Sequence, residues 1–392
     1  MFVHFLEVHL PLSGLIVFVV FLLAFLYQSY FYLRYMAATK AYRKKEEKGK
    51  IDFLNSKPPV SVVICAKNEE DNLRKNLPEV LEQDYPEFEV IVVNDASNDE
   101  TDRVLEELKS RYPKLRSTFI PEGTRNLSTK KLGITLAVKA AKYDLLLFTD
   151  ADCRPSDKGW IKAMMRNFTP GTEIVLGYGA YATEDSFLNR MITYDTLFIA
   201  LQYLGMAIRK RPYMGVGRNL AYRKELFIRE NGFSDSLHLI SGDDDLFVNK
   251  AGNSQNTRVE VTPESITFSE AKKTFATWLY QKIRHISVSN NYTALSKRRL
   301  LAEPITRGLC YLLLPVIFFT GNSLIILSAV TLFILRSILQ LLIINKASGY
   351  FGGHKYGFNL MLFDILLPVI NLYILVAKRP FSEKGKITKW NL

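Results

Sequence analysis

Cysteine is scarce: three residues in 392, at positions 65, 153 and 310, with no paired spacing among them. That excludes a disulfide framework or a cysteine-built metal cluster and fits a reducing compartment. Charge is absent from residues 10–33 (LPLSGLIVFVVFLLAFLYQSYFYL), a run long enough to cross a bilayer, which takes about 20 residues. No lysine or arginine precedes the run and no small-residue cleavage site follows it, which excludes a cleavable signal peptide. Acidic residues are outnumbered, 39 against 51 basic ones, leaving a net charge of +12.

An excess of that size first suggests nucleic acid. Its placement argues otherwise, and no nucleic-acid partner is expected. Arg34, Lys40, Arg43, Lys44, Lys45, Lys48 and Lys50 follow the first apolar run, and Lys378, Arg379, Lys384, Lys386 and Lys389 crowd the tail. Attraction to anionic membrane lipids accounts for both groups. By the positive-inside rule the N-terminus lies outside, and the domain after the first run is cytoplasmic. Lys297, Arg298, Arg299 and Arg307 say the same of that domain's exit.

The expected organisation is a transmembrane helix at 10–33, a basic juxtamembrane linker at 34–57 and a cytoplasmic domain at 58–302. A transmembrane hairpin at 303–345, turning at Gly321-Asn322-Ser323, comes next, then a transmembrane or re-entrant segment at 356–377 and a basic tail at 378–392. The whole reads as a multi-pass protein of the cell membrane. Four full crossings would leave the basic tail outside; a last segment bent back at Pro368 would not. Arg336 and Asp364 fall at membrane depth, where charges face protein or a wet cavity, and either pair with each other or sit near an interface.

The middle of the chain alternates strand and helix patterns. Val60–Ala66 and Phe88–Val93 are apolar, β-rich runs, separated by Leu73, Leu77, Val80 and Leu81 at helical spacing. A helix is expected from Glu100 to Ser110, a strand near Leu115–Ile120, a helix over Leu132–Ala141 and a strand at Asp144–Phe148. That order predicts an α/β fold with a parallel, right-handedly wound sheet covered on both faces. Ligands collect beyond the carboxyl ends of such strands. Lys67-Asn68-Glu69-Glu70, Asn94-Asp95 and Asp150-Ala151-Asp152 all stand on that edge.

Asp150 and Asp152, two apart on an extended segment, would point to one side and suit Mg2+ or Mn2+, ions that also hold a diphosphate. Ser241-Gly242-Asp243-Asp244-Asp245 is either a solvated loop at a helix N-terminus or the source of a general base. Between the acidic groups, Gly215-Val216-Gly217-Arg218-Asn219 combines close backbone approach with donors for sugar or phosphate oxygens.

Taken together these segments resemble glycosyltransferase family 2, the inverting GT-A-fold enzymes that include cellulose, chitin and hyaluronan synthases. VSVVICAKNEEDNL at 60–73, VIVVNDASNDET at 90–101, LLLFTDADC at 145–153, GVGRNLAYRKELF at 215–227, SGDDDLF at 241–247 and TWLYQKIRH at 277–285 carry the likeness. The resemblance implies a Rossmann-like GT-A domain that binds a nucleotide-sugar donor, UDP being the family's usual carrier. It implies that Ala66, Asn68, Glu69 and Asp95 line the nucleoside pocket and that Lys130 or Lys131 lies near the phosphates. Arg218 and Asn219 would meet the donor. Asp150 would meet the nucleotide and Asp152 the metal, with Asp243 as the base or Asp244 after a one-residue slip. Gln281, Arg284 and His285 would serve the acceptor and the leaving diphosphate.

Two departures stand out. His285 replaces the family's tryptophan in Gln-x-x-Arg-Trp, and Gly242 stands where Glu is common. The first turns the expectation from a processive, polymer-exporting synthase to transfer onto a lipid-linked or glycan acceptor at the membrane. A catalytically idle membrane scaffold is the reading of another class, and the complete acidic set argues against it.

Overall fold

The structure is a computed structural model in which residues 12–120, 128–239 and 241–376 are described; the basic tail at 378–392 lies outside them. A helical stretch opens it: α1 (Leu12–Phe31), a π-helical segment (Tyr32–Met36) and α2 (Ala38–Glu47). The segment expected as a linker at 34–57 is thus helical as far as Glu47. The α/β layer then runs β1 (Val60–Ala66), α3 (Glu70–Leu81), β2 (Phe88–Asn94), α4 (Thr101–Arg111), β3 (Leu115–Phe119), α5 (Thr129–Ala140) and β4 (Leu145–Phe148). Val62, Val90 and Leu147 are fully buried, each adding roughly 1.5–3 kcal/mol of apolar burial. Leu73, Leu77 and Val80 bury one stripe of α3 against the sheet.

The chain continues as β5 (Cys153–Pro155), α6 (Trp160–Met165), β6 (Ile174–Leu176), β7 (Gly179–Tyr181), α7 (Phe187–Ile208), β8 (Leu220–Arg223), α8 (Lys224–Arg229), α9 (Asp245–Ala251), β9 (Thr257–Val259), β10 (Thr267–Ser269) and α10 (Phe275–Ser289). Seven strands form one sheet in the order β3-β2-β1-β4-β8-β6-β9. It is mixed, not parallel throughout: β8 lies antiparallel between β4 and β6. The alternation that predicts a parallel sheet ends at β4; the chain then forms β5, β6, β7 and α7 before β8 enters the large sheet antiparallel. Strand order reverses at β1, which pairs with β2 on one side and β4 on the other. The crevice at that reversal is where an α/β sheet binds ligands. β5, β10 and β7 make a second, three-stranded sheet.

Three long helices close the described chain: α11 (Ala294–Phe318), α12 (Ser323–Tyr350) and α13 (Asn359–Val376). The Asn322 side chain caps α12, accepting from the amides of Leu324 and Ile325, which is why the expected turn falls there. With α1, these helices are long and apolar enough to cross a membrane, and they leave Leu23, Leu312, Leu327 and Leu372 exposed. α7 also has the length and composition of a span, but 72% of its most apolar stretch is buried inside the protein. It is a core helix of the α/β domain.

Charge inside the bundle is concentrated at one point. Asp364 accepts from Arg336 at 2.7 Å, from Arg307 at 3.2 Å, from Tyr311 at 2.7 Å and from Gln340 at 2.7 Å. Arg307 also meets Glu303 at 2.7 Å, and Arg336 reaches Gln28 of α1 at 3.0 Å. Two cations thus balance two anions, which is what makes their burial tolerable. Gln340 also donates to Tyr194 of α7 at 3.2 Å, joining the bundle to the domain.

The backbones come close at Gly205 of α7. A Cβ there would lie 2.0 Å from the Tyr35 carbonyl oxygen of the π-helical segment. Arg211 fixes the same junction by donating to the Tyr35 hydroxyl at 2.7 Å. Since a carbonyl cannot turn aside as a side chain can, Gly205→Ala is expected to destabilise the folded chain by about 3 kcal/mol, the upper range for overpacking. A thermal midpoint for the detergent-solubilised variant equal to wild type would contradict this.

Candidate active site

The crevice lies beyond the carboxyl ends of β1, β2 and β4, and Cys65, Lys130, Thr149, Asp150, Gly217 and Asp243 line its floor. At one end the Asp95 amide donates to the Ala66 carbonyl at 2.8 Å, so the two strand ends are tied together. Asp95 Oδ2 accepts from Thr129 at 2.5 Å and meets Lys67 at 3.4 Å. Its Oδ1 is buried and has no partner among the described residues, and neither has Thr149 Oγ1. Buried acceptors left this way ask for a donor from a ligand. Asn68 has φ +54°, and its side chain accepts from the Asn98 amide at 2.8 Å, so it shapes the loop after β1. Glu69 accepts from Asn72, and burial, with added repulsion from Asp152 and Asp150, lifts its carboxyl to about 7.

Asp150 and Asp152 do not sit on an extended segment. The chain leaves the large sheet at β4 and enters the small one at β5, and the residues between form a turn closed by Cys153 N donating to Asp150 O at 3.0 Å. The turn nevertheless gathers ligand atoms of Asp150, Asp152 and Cys153 within 4.8 Å of one another. Burial, then the charge of Asp150, raises the pKa of Asp152. Cys153 donates to Asp152 at 3.3 Å, and burial first, then the two aspartates, holds its thiol protonated. The carboxylate oxygens of Asp150 and Asp152 are the donor set of a hard ion such as Mg2+ or Mn2+.

Opposite stands the loop before α9. Lys130 bridges the crevice, 2.9 Å from Asp150 and 3.2 Å from Asp243. Burial works to raise the Asp243 pKa, but the Lys130 ammonium and hydrogen bonds outweigh it and hold the carboxyl below its usual range. Asp244 does something else: it accepts from the Gly217 amide at 2.6 Å and caps α9 by accepting from Asp245 at 2.8 Å. Gly242 has φ +92°, and a Cβ there would stand 2.9 Å from Leu246 Cγ and from Val288 of α10. A glutamate at this position would be strained and crowded, which accounts for the departure at Gly242.

Two of the expected residues point away from the crevice. Lys131 turns away from the crevice and donates to the carbonyls of Ser236, Leu239 and Ser241. Neighbours on a helix point about 100° apart, so only one of the two lysines reaches the crevice. Asn219 is fully buried, accepting from Trp160 and donating to Tyr178 and Ser265 carbonyls. Arg218 donates to Ser269 at 3.0 Å and lies 4.3 Å over the Tyr181 ring, with Asp152 and Asp150 within its field. Gln281 of α10 donates to that Tyr181 hydroxyl at 3.1 Å. His285 is exposed to solvent, and desolvation of its ring, then Arg284 and Arg218, lowers its pKa, which keeps the imidazole neutral.

Asp245, unassigned by the sequence, is buried and accepts from the Tyr292 hydroxyl at 2.8 Å. Burial, then Asp244, raises its pKa from 3.8 to about 8. Across that window the unfolded carboxyl is ionised while the folded one keeps its proton, so folding stability falls as pH rises and levels above about 8. In Asp245→Asn this loss is gone: its thermal midpoint should gain on wild type from about pH 5 to about pH 8 and hold a constant lead above. A difference independent of pH would contradict the assignment.

Models of two related families match this chain: "Glycosyl transferase family 2" over residues 61–229 and "Glycosyl transferase family group 2" over residues 147–375. Glycosyltransferase AglE of Haloferax volcanii is 29% identical over 203 residues, 48% of this chain and 59% of that one. Probable glycosyltransferase YdaM of Bacillus subtilis is 25% identical over 247 residues, 61% of this chain and 56% of that one. The chain therefore spans somewhat more than half the length of these relatives. Among solved structures, the mannosyltransferase PcManGT from Pyrobaculum calidifontis, in complex with GDP-Man and Mn2+, superposes with a TM-score of 0.55 at 17% identity, covering 90% of this chain and 99% of that one. At that identity the likeness speaks to fold, which is GT-A. With the second family model covering more than half of its residues, this chain belongs to glycosyltransferase family 2.

Proposed function

We propose that the chain is an inverting glycosyltransferase that moves a sugar from a nucleoside diphosphate donor to a lipid-linked or glycan acceptor at a membrane surface. The observation that carries this reading is the Lys130 bridge, with a carboxylate pair for a cation on one side and Asp243 on the other. The nucleoside would lie against Ala66 and Asp95, whose Oδ1 awaits a donor. Asp152 and Asp150 would hold Mg2+ or Mn2+, which when bound would neutralise charge on the departing diphosphate. The neighbour's complex with GDP-Man and Mn2+ supports a donor and an ion of these classes.

Asp243 takes the acceptor hydroxyl's proton as that oxygen attacks the anomeric carbon from the face opposite the diphosphate. Lys130 is shared between Asp243 and Asp150, so phosphates arriving at Asp150 compete for it and leave Asp243 a stronger base. Arg284 joins the ion in stabilising the leaving group. In our reading the domain lies on the cytoplasmic face of the cell membrane, which the apolar helices and the basic residues at their ends support. A neutral His285 in place of a large aromatic favours single transfers over chain polymerisation.

The test is a thermal-shift and turnover screen of the full chain in detergent against UDP- and GDP-sugars with Mn2+ or Mg2+. At least one donor should raise the midpoint only with metal present and be turned over. Failure of every donor on both counts would sink the proposal.

A further inference from the structure

α10 carries Gln281, Arg284 and His285, yet it is held by little apolar packing. Of its 15 residues only Trp278, Lys282 and Val288 are buried. With Trp278 and Val288 buried and Leu279 packed at the edge of the core, its apolar seat is small. The middle anchor is a cation: Lys282 Nζ lies 2.6 Å from Asp195 Oδ2 of α7, with side chains 7% and 14% exposed. A buried ion pair adds little net stability over an apolar pair of the same shape, because desolvation offsets attraction. What it adds is a fixed distance and direction.

That direction matters because of the residues beside it. Gln281, one position earlier, bonds Tyr181, whose ring carries Arg218 on its face. His285, three positions later, is near enough to Asp243 and Lys130 to feel their charges. Val288 packs on Gly242, and Tyr292 just beyond α10 bonds Asp245, so the helix also covers the acidic loop. Asp195 itself stands on the most buried long helix, next to Tyr194, which is bonded to the membrane bundle through Gln340. α7 is thus a firm reference, and the ion pair transfers its position to α10.

We propose that Asp195 and Lys282 are positioning residues for the transfer reaction, setting the register of α10 so that Gln281 and Arg284 meet the crevice. The inference rests on the transferase reading above. Neither residue touches the crevice, so their removal should act on turnover and spare donor binding.

The experiment measures kcat, donor KM and thermal midpoint for the full chain in detergent, using whichever sugar nucleotide the wild type turns over. Lys282→Met keeps the length and loses the charge; Asp195→Asn keeps the shape. Each is expected to lower kcat about 10- to 100-fold, the effect of roughly 1 Å of misplacement, with donor KM near wild type and a lowered midpoint from the partner charge left unpaired. Lys282→Arg should recover most of the rate, and the double variant should be no slower than the worse single one. Wild-type kcat in folded Lys282→Met would overturn the proposal, as would losses that multiply in the double variant. Loss of thermal midpoint with unchanged kcat in the folded fraction would overturn it too, by assigning the pair a purely structural role. A wild type that turns over no donor would remove the transferase reading and this inference with it, an outcome distinct from the others.

Discussion

Asp243→Asn is expected to lower kcat about 10³-fold, within the range for removing a positioned general base, while donor KM changes by no more than a few-fold. The amide has the carboxylate's shape but cannot take a proton at neutral pH. Asp243 is the aspartate of the loop that shares Lys130 with Asp150 across the crevice, at 3.2 Å from its ammonium. Its carboxyl is held below the usual range, so it is ionised before the acceptor arrives. Asp244→Asn is the informative contrast. Both Asp244 oxygens already accept backbone amides, from Gly217 and Asp245, so its loss should loosen the loop and the cap of α9. That costs about 1 kcal/mol of stability and should lower kcat far less. The opposite ranking of the two variants would transfer the base to Asp244.

The features legible in the sequence are those with a strong period or a charge pattern. The strands β1, β2 and β4 are continuous apolar runs because both sheet faces are covered, and the acidic residues at their ends follow from the crevice they border. The small sheet was not legible, since β5, β7 and β10 have three residues each and too little length for any alternation to register. α7 escaped for the opposite reason: buried on nearly every side, it has no polar face to reveal its phase. Adjacent residues are where motif reading fails. Lys130 and Lys131, or Arg218 and Asn219, are equivalent as letters, but the backbone sends one of each pair toward the crevice and the other into carbonyl cages behind it. Thr149 was within reach, as it directly precedes Asp150 at the strand end. The Lys282–Asp195 pair was not, because its partners are far apart in sequence and neither belongs to an acidic cluster.

Removing the metal, or its principal ligand, should have an effect as large as removing the base. Asp150 already has the Lys130 ammonium at 2.9 Å, whereas Asp152 has a weak bond from the Cys153 thiol and the more distant charges of Arg218 and Lys130 against burial and the repulsion of Asp150. Asp152 is therefore the carboxylate most in need of a cation, and Asp152→Asn is expected to abolish the metal-dependent thermal shift and lower kcat about 10³-fold, roughly 4 kcal/mol of leaving-group stabilisation. Chelation with EDTA should do the same to wild type, reversibly on adding Mn2+ or Mg2+. Asp150→Asn should lose less metal affinity and weaken donor binding more, because it also releases Lys130. Cys153 decides what kind of ion belongs there. Its thiol is protonated and donates to Asp152, so Cys153→Ser keeps the hydrogen bond and should leave Mn2+ affinity within a few-fold. A large loss of affinity in that variant would make the sulfur a ligand and point to a softer metal. An Asp152→Asn enzyme with wild-type turnover and an intact metal response would remove the carboxylate pair from the mechanism.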